Sequence, residues 1–289
     1  MLLIQMPREE LRMPPRVTVG NRTRNSTATA CAFINDHLLV SAAFNSQKIY
    51  LIELKNGKHK ILDVVKAKYN PDLMDYKDGL IVTSDYPFTS ADGHISIYEL
   101  KNNKILFRKD ITVKNTKLHG CTILDKSNVI VTSNSDANRG NMFYNIDTDT
   151  LTKNFSDFLY YPKDTYVVGN RMFTVTSKSL PQIGQNTVIG DSVLYLHNID
   201  TFEKLDEGTF HGQTDSLCVT GNDVFIVVQG DDTIVHFTVS DDKLTFVRRI
   251  GGFNFPHGIA TISDKIAITN YGDNTIRVFT ISELKTYDL

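Results

Sequence analysis

One pattern of short strands and turns repeats along the chain, and this repeat constrains the fold more than any other feature. The last copy is the clearest. From Phe255 to Leu284 it places three runs rich in β-branched and aromatic residues between turns at Ser263-Asp264 and Asn270–Asn274. Such runs, separated by polar turns, predict an antiparallel meander of three strands. A meander that repeats with a period of about 20 to 50 residues predicts a propeller or a solenoid.

Six copies of the pattern can be aligned, and most have room for a fourth strand. The copies begin near Thr29, Asp72, His119, Asp164, Asp215 and His257. More polar fourth strands are predicted at Lys60–Val65, Ile105–Val113, Thr152–Phe158, Glu203–Phe210 and Leu244–Gly251. The sixth copy reaches Leu289 where its fourth strand should lie, so the N-terminal segment Leu11–Asn21 is predicted to complete that blade. A ring closed in this way leaves few exposed strand edges.

The predicted fold class is therefore all-β, a six-bladed β-propeller of four-stranded antiparallel blades. One domain is expected over residues 1–289, with residues 1–28 forming an N-terminal arm and the closing strand. The hydrophobic fraction of 41% and the charged fraction of 22% are ordinary for a globular protein with a sizeable core. A net charge of -2 favours neither nucleic acid nor an anionic membrane as a partner.

Targeting signals and cysteines point to one compartment. The apolar start Met1–Met6 is interrupted by Arg8, so neither an export signal nor a membrane span is expected there. The three cysteines, Cys31, Cys121 and Cys218, fall on predicted first strands of different blades. An odd number on interior strands predicts free buried thiols and a reducing, cytoplasmic location. No P-loop or dinucleotide fingerprint is present, so no nucleotide or flavin cofactor is expected.

The loops between second and third strands are unequal in length. They are long at Asp85–Gly93, Ser133–Asn141 and Ser177–Ser192, and short at Ala43–Gln47, Gln229–Asp232 and Asn270–Asn274. In a propeller these loops emerge on the face where the first strands begin. Long loops in a compact repeat are usually functional, which predicts a ligand mouth on this face, although drift between repeats would give the same asymmetry.

One aligned column of residues carries ionisable side chains. First strands line the channel of a propeller, so the residues that open them should face the axis at one level. This column reads Thr29, Asp72, His119, Asp164, Asp215 and His257. Converging carboxylates repel one another and are costly to desolvate unless a cation lies among them. The column therefore predicts a site in which Asp72, Asp164 and Asp215 bind a divalent metal and His119 and His257 transfer protons.

Turn chemistry is an alternative explanation for the aspartates, because Asp often begins a strand by bonding to neighbouring backbone groups. The histidines fit that alternative less well, since both precede glycine, as His119-Gly120 and His257-Gly258. A glycine there allows a close approach to the backbone or an unusual dihedral angle.

The ends of the second strands supply a weaker second set of candidates. Small hydroxyl and amide groups recur there, and Lys178 is a candidate to hold an anion. The predicted substrate-binding residues are Thr29, Asp85, Asn134, Lys178, Asn270 and Tyr271. Arg139 and Arg171 are further candidates for this face without an assigned role.

The last copy, PHGIATISDKIAITNYGDNTIRVF, resembles the repeat of YVTN/NHL-type propellers. The resemblance is close over this copy, fair in the second, third and fifth, and poor in the first and fourth. It implies a fold and little about function.

Six blades with polar strand entries are also similar to the gluconolactonase and senescence-marker family. That resemblance implies an axial calcium ion and the hydrolysis of lactones or phosphoesters. The family's ligands are Glu, Asn, Asn and Asp at these entries, so Asp215 matches in type whereas His119 and His257 differ. The difference favours a transition metal over calcium, or histidine acid/base chemistry without a metal. Streptogramin-lyase-like propellers, another resemblance, imply a histidine acting in an elimination beside a divalent ion.

Two functions of different classes follow. The first is a small-molecule enzyme, a hydrolase or lyase, that uses metal-assisted or histidine acid/base chemistry for lactone or ester hydrolysis, elimination or isomerisation. The second is a non-catalytic propeller that binds a protein, peptide or metabolite on the long-loop face. The aromatic residues Phe44, Tyr86, Phe88 and Tyr271 would serve that second function.

Overall fold

The computed structural model describes residues 1–6, 28–85, 92–178 and 190–287, and these form a six-bladed β-propeller. Each blade is an antiparallel sheet of four strands. Blade one contains β2 (Ala28–Asn35), β3 (Leu38–Ala43), β4 (Lys48–Lys55) and β5 (Lys58–Lys66). Blade two contains β6 (Pro71–Lys77), β7 (Leu80–Asp85), β8 (Gly93–Lys101) and β9 (Lys104–Val113). Blade three contains β10 (Leu118–Ile123), β11 (Asn128–Ser133), β12 (Gly140–Asn145) and β13 (Thr150–Phe155).

The remaining blades follow the same order. Blade four contains β14 (Tyr161–Val168), β15 (Arg171–Ser177), β16 (Asp191–Asn198) and β17 (Lys204–His211). Blade five contains β18 (Thr214–Thr220), β19 (Asp223–Val228), β20 (Thr233–Ser240) and β21 (Lys243–Ile250). Blade six contains β22 (Pro256–Ile262), β23 (Lys265–Asn270) and β24 (Thr275–Thr280), and β1 (Leu2–Gln5) supplies its fourth strand. The predicted architecture, including closure by the N-terminus, is confirmed.

The closing strand lies earlier in the chain than the sequence analysis placed it. β1 pairs antiparallel with β24, with Ile4 opposite Ile276, whereas the predicted segment Leu11–Asn21 lies outside the described residues. The physical reason is burial: Ile4 is 1% exposed and packs in an apolar cluster with Ile276 and Val278. The sequence analysis considered the apolar run before Arg8 only as a possible export signal, whereas blade six uses it as a strand.

Apolar side chains from the first three strands of each blade pack against those of the next blade. One cluster joins Ile97 of blade two to Val129 of blade three, and another joins Phe225 of blade five to Ile268 of blade six. The alternation of side chains along each strand allows both faces of a blade to be buried in this way. The fourth strands are mostly exposed, as their polar composition predicts.

After the last strand, a short helix, α1 (Ile281–Lys285), packs Leu284 into the interface of blades five and six. Thr280 and Glu283 form a capping box at its start. None of the helices in the described part of the chain is long and apolar enough to cross a membrane. Cys31, Cys121 and Cys218 are buried and free, as predicted.

Strand pairing places the functional face. The end of each second strand lies beside the start of its first strand, as where Ser133 pairs with Leu118 and Asn270 pairs with Pro256. The connections between second and third strands therefore emerge around the channel entrance, which we call the entry face. The connection after β11 includes a 3-10 turn at Asp136–Asn138. The loop segments 86–91 and 179–189, which belong to the predicted mouth, lie outside the described residues.

Candidate functional site

Four of the six column residues meet on the channel axis below the entry face. They are Asp72, His119, Asp215 and His257, and we call them the Asp/His cluster. His119 Nε2 lies 3.2 Å from Asp215 Oδ1 and 3.6 Å from Asp72 Oδ2. His257 Nε2 lies 3.3 Å from Asp72 Oδ1 and 4.0 Å from Asp215 Oδ2. Each carboxylate thus faces both imidazoles, and all four side chains are buried.

The two histidines are held in the same way. His119 Nδ1 donates to the Lys163 carbonyl at 3.0 Å, and His257 Nδ1 donates to the Thr29 carbonyl at 3.1 Å. A carbonyl oxygen can only accept, so Nδ1 carries a proton in each ring. In the neutral form Nε2 then presents a lone pair to the axis, which is the arrangement that metal-binding histidines adopt.

The glycine that follows each histidine is required by a close approach between blades. A Cβ on Gly120 would lie 2.7 Å from the Lys163 carbonyl oxygen, and one on Gly258 would lie 2.5 Å from that of Thr29. Neither glycine has a positive φ. Of the two reasons that the sequence analysis gave for these glycines, close approach is the one that applies.

In the cluster, the charges of the aspartates and the histidines affect one another's pKa values. Burial alone would raise the pKa of Asp215, but His257, His119 and Lys163 outweigh it and hold that pKa below its usual value. Burial alone would lower the pKa of His257, but Asp215 and Asp72 raise it to about 9. The two carboxylates therefore require positive charge beside them, from protons on the imidazoles or from a bound cation.

Asp164 does not join the cluster. Pro162 pairs with Thr176 and Asp164 pairs with Val175, so Lys163 bulges out between them. Counted from the paired strand ends, Asp164 occupies the place that Cys121 has in blade three. Its Oδ2 accepts hydrogen bonds from Ser216 Oγ at 2.7 Å and from the Leu217 N–H at 3.2 Å. Asp164 therefore joins blade four to blade five, and burial raises its pKa to about 7.

Lys163 is the residue of blade four that belongs near the cluster, and the sequence analysis missed it. Its side chain is fully buried, and its Nζ has no hydrogen-bond partner among the described residues. Burial lowers its pKa, and the carboxylates of Asp215 and Asp72 act against that shift. Its register position corresponds to Gly120 and Gly258. An alignment shifted by two residues in blade four would have placed Pro162 in the column and Lys163 directly after it.

Three of the predicted substrate-binding residues have partners within the fold. Thr29 Oγ1 donates to the Pro71 carbonyl at 3.1 Å. Asp85 is buried and bonds to both the backbone N–H and the Nδ1 of His94, and burial raises its pKa to about 6 against the effect of His94. Asn270 Oδ1 accepts from the Asn254 N–H at 3.1 Å, and its Nδ2 donates to Thr275 Oγ1 at 3.3 Å.

The other three lie nearer the channel entrance. The Tyr271 ring is centred 6.2 Å from that of His257, and its hydroxyl accepts from Asn45 Nδ2 at 3.1 Å. Asn134 is fully buried, and neither its Nδ2 nor its Oδ1 has a hydrogen-bond partner among the described residues. Lys178 is exposed.

The two arginine candidates have other partners. Arg171, at the start of β15, pairs with Asp242 at 2.6 Å on the opposite face, and Arg139 lies over the Tyr161 ring at 5.8 Å.

The Asp/His cluster fits a metal ion in chemistry and in spacing. Single ligand atoms of Asp72, His119 and His257 lie within 4.8 Å of one another. Metal–nitrogen and metal–oxygen bonds of about 2.0–2.2 Å set neighbouring ligands of a tetrahedral site about 3.3–3.6 Å apart. Three of the four imidazole–carboxylate distances, 3.2, 3.3 and 3.6 Å, lie close to this value. Charge-assisted hydrogen bonds between nitrogen and oxygen are usually shorter, about 2.7–2.9 Å.

Beyond the cluster, the channel widens into a cavity of about 90 Å³. Its lining residues follow the cluster residues along the first strands and include Asp75, Cys121, Thr122, Asp164 and Tyr166. Asp75 accepts hydrogen bonds from the Ile123 and Tyr76 N–H groups at 2.8 Å each, so its carboxylate joins blade two to blade three. The titratable carboxylates of this cavity therefore serve blade packing.

Solved structures share the fold with this chain. The WD40 β-propeller domain of Doa1 matches with a TM-score of 0.64 at 10% identity, covering 91% of this chain and 95% of that chain. The periplasmic gluconolactonase PpgL of Pseudomonas aeruginosa matches with a TM-score of 0.61 at 12% identity, covering 87% and 80%. The hydrazine synthase of Kuenenia stuttgartiensis matches with a TM-score of 0.59 at 12% identity, covering 88% and 83%.

No protein-family model matches the chain, and no curated protein matches its sequence. The structural matches confirm similarity to propellers that include a gluconolactonase, at the level of fold. Since matches of such low identity carry no function, the chemistry must be argued from the Asp/His cluster itself.

Proposed function

We propose that this protein is a small-molecule enzyme that acts by metal-assisted chemistry at the Asp/His cluster. The observation that supports it best is the geometry of the cluster: two buried carboxylates face two imidazoles whose Nδ1 protons are fixed by backbone carbonyls. Mixed nitrogen and oxygen ligands favour zinc or a related transition metal over calcium, which prefers oxygen alone. When bound, such a metal polarises a substrate oxygen or activates water.

Each residue of the cluster has a role in this proposal. Asp72, His119 and His257 would hold the metal, since their ligand atoms converge. Asp215 would transfer the proton, because its Oδ2 is buried without a hydrogen-bond partner among the described residues. This differs from the assignment made from sequence, which gave proton transfer to the histidines. The substrate would enter from the entry face, and lactone or ester hydrolysis, elimination and isomerisation all suit this arrangement.

Metal content tests the proposal first. We expect purified protein, stripped with a chelator and reloaded by dialysis against zinc, manganese or calcium, to retain about one transition-metal ion per chain. His119→Gln and His257→Gln should each weaken that affinity at least about 100-fold, because each removes a ligand that the protein holds in place. His236→Gln is the matched control: His236 is also a buried histidine beside a carboxylate, with Nε2 2.7 Å from Asp223 Oδ1, but it lies outside the cluster.

Turnover is measured next, with the loaded protein against panels of lactones, esters and elimination substrates. Wild-type protein that binds none of the three metals would contradict the metal-assisted proposal. That result would favour the alternative inferred from sequence, a propeller that binds its ligand without turnover. The cytoplasmic location stays part of the proposal, supported by the three free buried cysteines.

A further inference from the structure

Two fully buried side chains in blades three and four have polar groups without partners in the described part of the chain. They are Lys163, through Nζ, and Asn134, through both amide atoms. Gln213 is 5% exposed, and its Nε2 also has no hydrogen-bond partner among the described residues. Leaving one such group unpaired costs about 1–3 kcal/mol, and a charged group costs more. Three of these groups are donors, Lys163 Nζ, Asn134 Nδ2 and Gln213 Nε2, and a ligand in this part of the channel would supply the acceptors that they lack.

Strand pairing brings these residues to one sector of the channel. Lys163 lies in blade four, and its carbonyl accepts from His119 Nδ1 at 3.0 Å and from Thr132 Oγ1 at 2.7 Å. Asn134 stands two residues beyond Thr132, so it lies on the same side of that strand, nearer the entry face. Its register position in blade three is that of Tyr271 in blade six, and the Tyr271 ring is centred 6.2 Å from the His257 ring.

Gln213 approaches this sector from the other side. It directly precedes β18, the strand that carries Asp215, and its carbonyl accepts from the Gln229 N–H at 2.8 Å. Asp164, next to Lys163 in sequence, bonds to Ser216 and Leu217 of the same strand. The entries of blades three, four and five are thus tied together around Lys163.

The charge of the sector suits an anion. The carboxylates of Asp72 and Asp215 face the two imidazoles, with Asp215 Oδ2 left without a hydrogen-bond partner among the described residues, and no described carboxylate contacts Lys163 Nζ. With the two carboxylates balanced, either by protons on the imidazoles or by a divalent metal, the Lys163 ammonium would leave one net positive charge. A single negative charge on the substrate would balance it, and amide N–H groups beside an ammonium are usual partners of carboxylate or phosphate oxygens.

We propose that Lys163, Asn134 and Gln213 bind an anionic group of the substrate, a carboxylate or a phosphate, beside the Asp/His cluster. The inference deepens the proposed function, on which it rests, by naming the substrate class. Lys163 replaces Lys178 as the anion-binding lysine, because Lys178 is exposed and Lys163 is buried beside the cluster.

Anion binding by the metal-stripped protein tests this inference. Acetate and inorganic phosphate are titrated separately, with sodium chloride at equal ionic strength as the reference, and binding is followed by the rise in Tm and by ligand line broadening in NMR. We expect saturable binding of at least one of the two, and the anion that binds identifies the group. Lys163→Met and Asn134→Leu should each weaken it about tenfold or more, since each removes a donor to an anion.

Matched variants decide between outcomes. Lys126→Met removes an exposed lysine from a turn on the opposite face and should leave anion binding unchanged. A loss confined to Lys178→Met would overturn the inference and support the lysine chosen from sequence. Wild type that responds to neither anion beyond the chloride reference, or Lys163→Met and Asn134→Leu variants that bind as wild type does, would also overturn it. Because metal is absent throughout, failure here is distinct from failure of the metal-binding test.

Discussion

Blades three and six build their strand entries alike, whereas blade four builds its entry differently. In blades three and six a histidine precedes a glycine, and the histidine donates from Nδ1 to a carbonyl of the next blade. A threonine on the second strand, Thr132 or Thr269, also donates to that carbonyl. In blade four the same positions hold Pro162 and Lys163. Blades three and six lie opposite each other in the ring, so the cluster has an approximate two-fold arrangement of histidines.

This difference shows how one residue position of the repeat determines which side chain reaches the channel axis. Glycine at the second position lets adjacent first strands approach, and this approach presents each imidazole to the axis. At the same position blade four has a lysine instead, whose side chain is fully buried. Two opposed entries therefore present imidazoles to the axis, and the entry of blade four presents a lysine. Three sets of variants test this comparison, in order of expected effect.

The largest effect is expected from adding a methyl group to either cluster glycine. The new Cβ of Gly120→Ala would lie 2.5 Å from Asp164 Oδ1 and 2.7 Å from Asp164 Cα, and that of Gly258→Ala 2.8 Å from Ala30 Cα. Because backbone atoms must move to relieve these contacts, we expect each change to lower the free energy of unfolding by about 3 kcal/mol. Urea denaturation at constant pH measures the loss.

Gly251→Ala is the control for this pair, since its Cβ would meet nothing within 4 Å and its φ is not positive. Its unfolding free energy should stay within about 0.5 kcal/mol of wild type. A pair of cluster variants as stable as Gly251→Ala would show that the blades can separate without cost, and the account of the glycines would be wrong.

The next effect concerns Asp164 and distinguishes it from Asp215. The pKa of Asp164 is raised to about 7 by burial, against hydrogen bonds from Ser216 and Leu217, while an unfolded aspartate titrates near 3.9. The folded state thus holds a proton that the unfolded state has lost, so this contribution to stability is full below about pH 4 and declines as pH rises toward 7. Asp215, with its pKa lowered, acts in the opposite sense, and its contribution is lost as pH falls.

Asp164→Asn should remove the decline in the free energy of unfolding that Asp164 causes as pH rises. Between pH 4.5 and 6.5 we expect the unfolding free energy of the variant to fall less steeply than that of wild type, by up to about 1.4 kcal/mol per pH unit. Asp75 and Asp85, each with a pKa raised to about 6, keep their share of the slope in both proteins. Parallel curves for the two metal-stripped proteins would mean that Asp164 is ionised throughout, in conflict with its burial.

Much of the fold could be predicted from the sequence because each strand carries its own signal. Alternating and β-branched runs, separated by turns, defined six blades and their fourth strands to within a few residues. The closing strand was placed wrongly because β1 is short and its apolar residues resemble a start segment more than a strand. The evidence for β1 is its pairing with β24, near the other end of the chain. A single sequence contains no signal for a pairing between segments so far apart.

The site was predictable where an ionisable residue holds the column position. Asp72, His119, Asp215 and His257 lie in one aligned column and meet on the axis as the column indicates. All six first strands carry a bulge at this entry, so blade four keeps the register of the other blades. Pro162 holds the column position there, and the alignment instead followed the next ionisable acid, Asp164, two residues later. A proline before a lysine gives no warning of a buried ammonium, since lysine is almost always exposed.

The smallest effect tests whether blades three and six are equivalent through their threonines. Thr132 Oγ1 donates to the Lys163 carbonyl at 2.7 Å and accepts from the Gly120 N–H at 2.6 Å. Thr269 Oγ1 does the same with Thr29 and Gly258, at 2.9 and 2.7 Å. Thr132→Val and Thr269→Val keep the shape and remove these bonds, so urea denaturation should show a loss of about 1–2 kcal/mol in each.

Blade four provides the matched comparison for these two variants. Thr176 has the same register position as Thr132 and Thr269, but its Oγ1 donates to Val193 of its own blade, at 3.2 Å. Because Thr176→Val breaks one bond within a sheet and leaves no glycine N–H unpaired, its cost should be about half that of the other two. Equal costs for all three variants would remove the distinction between the entries, whereas unequal costs for Thr132 and Thr269 would show that the two histidine entries differ in strength despite their common geometry.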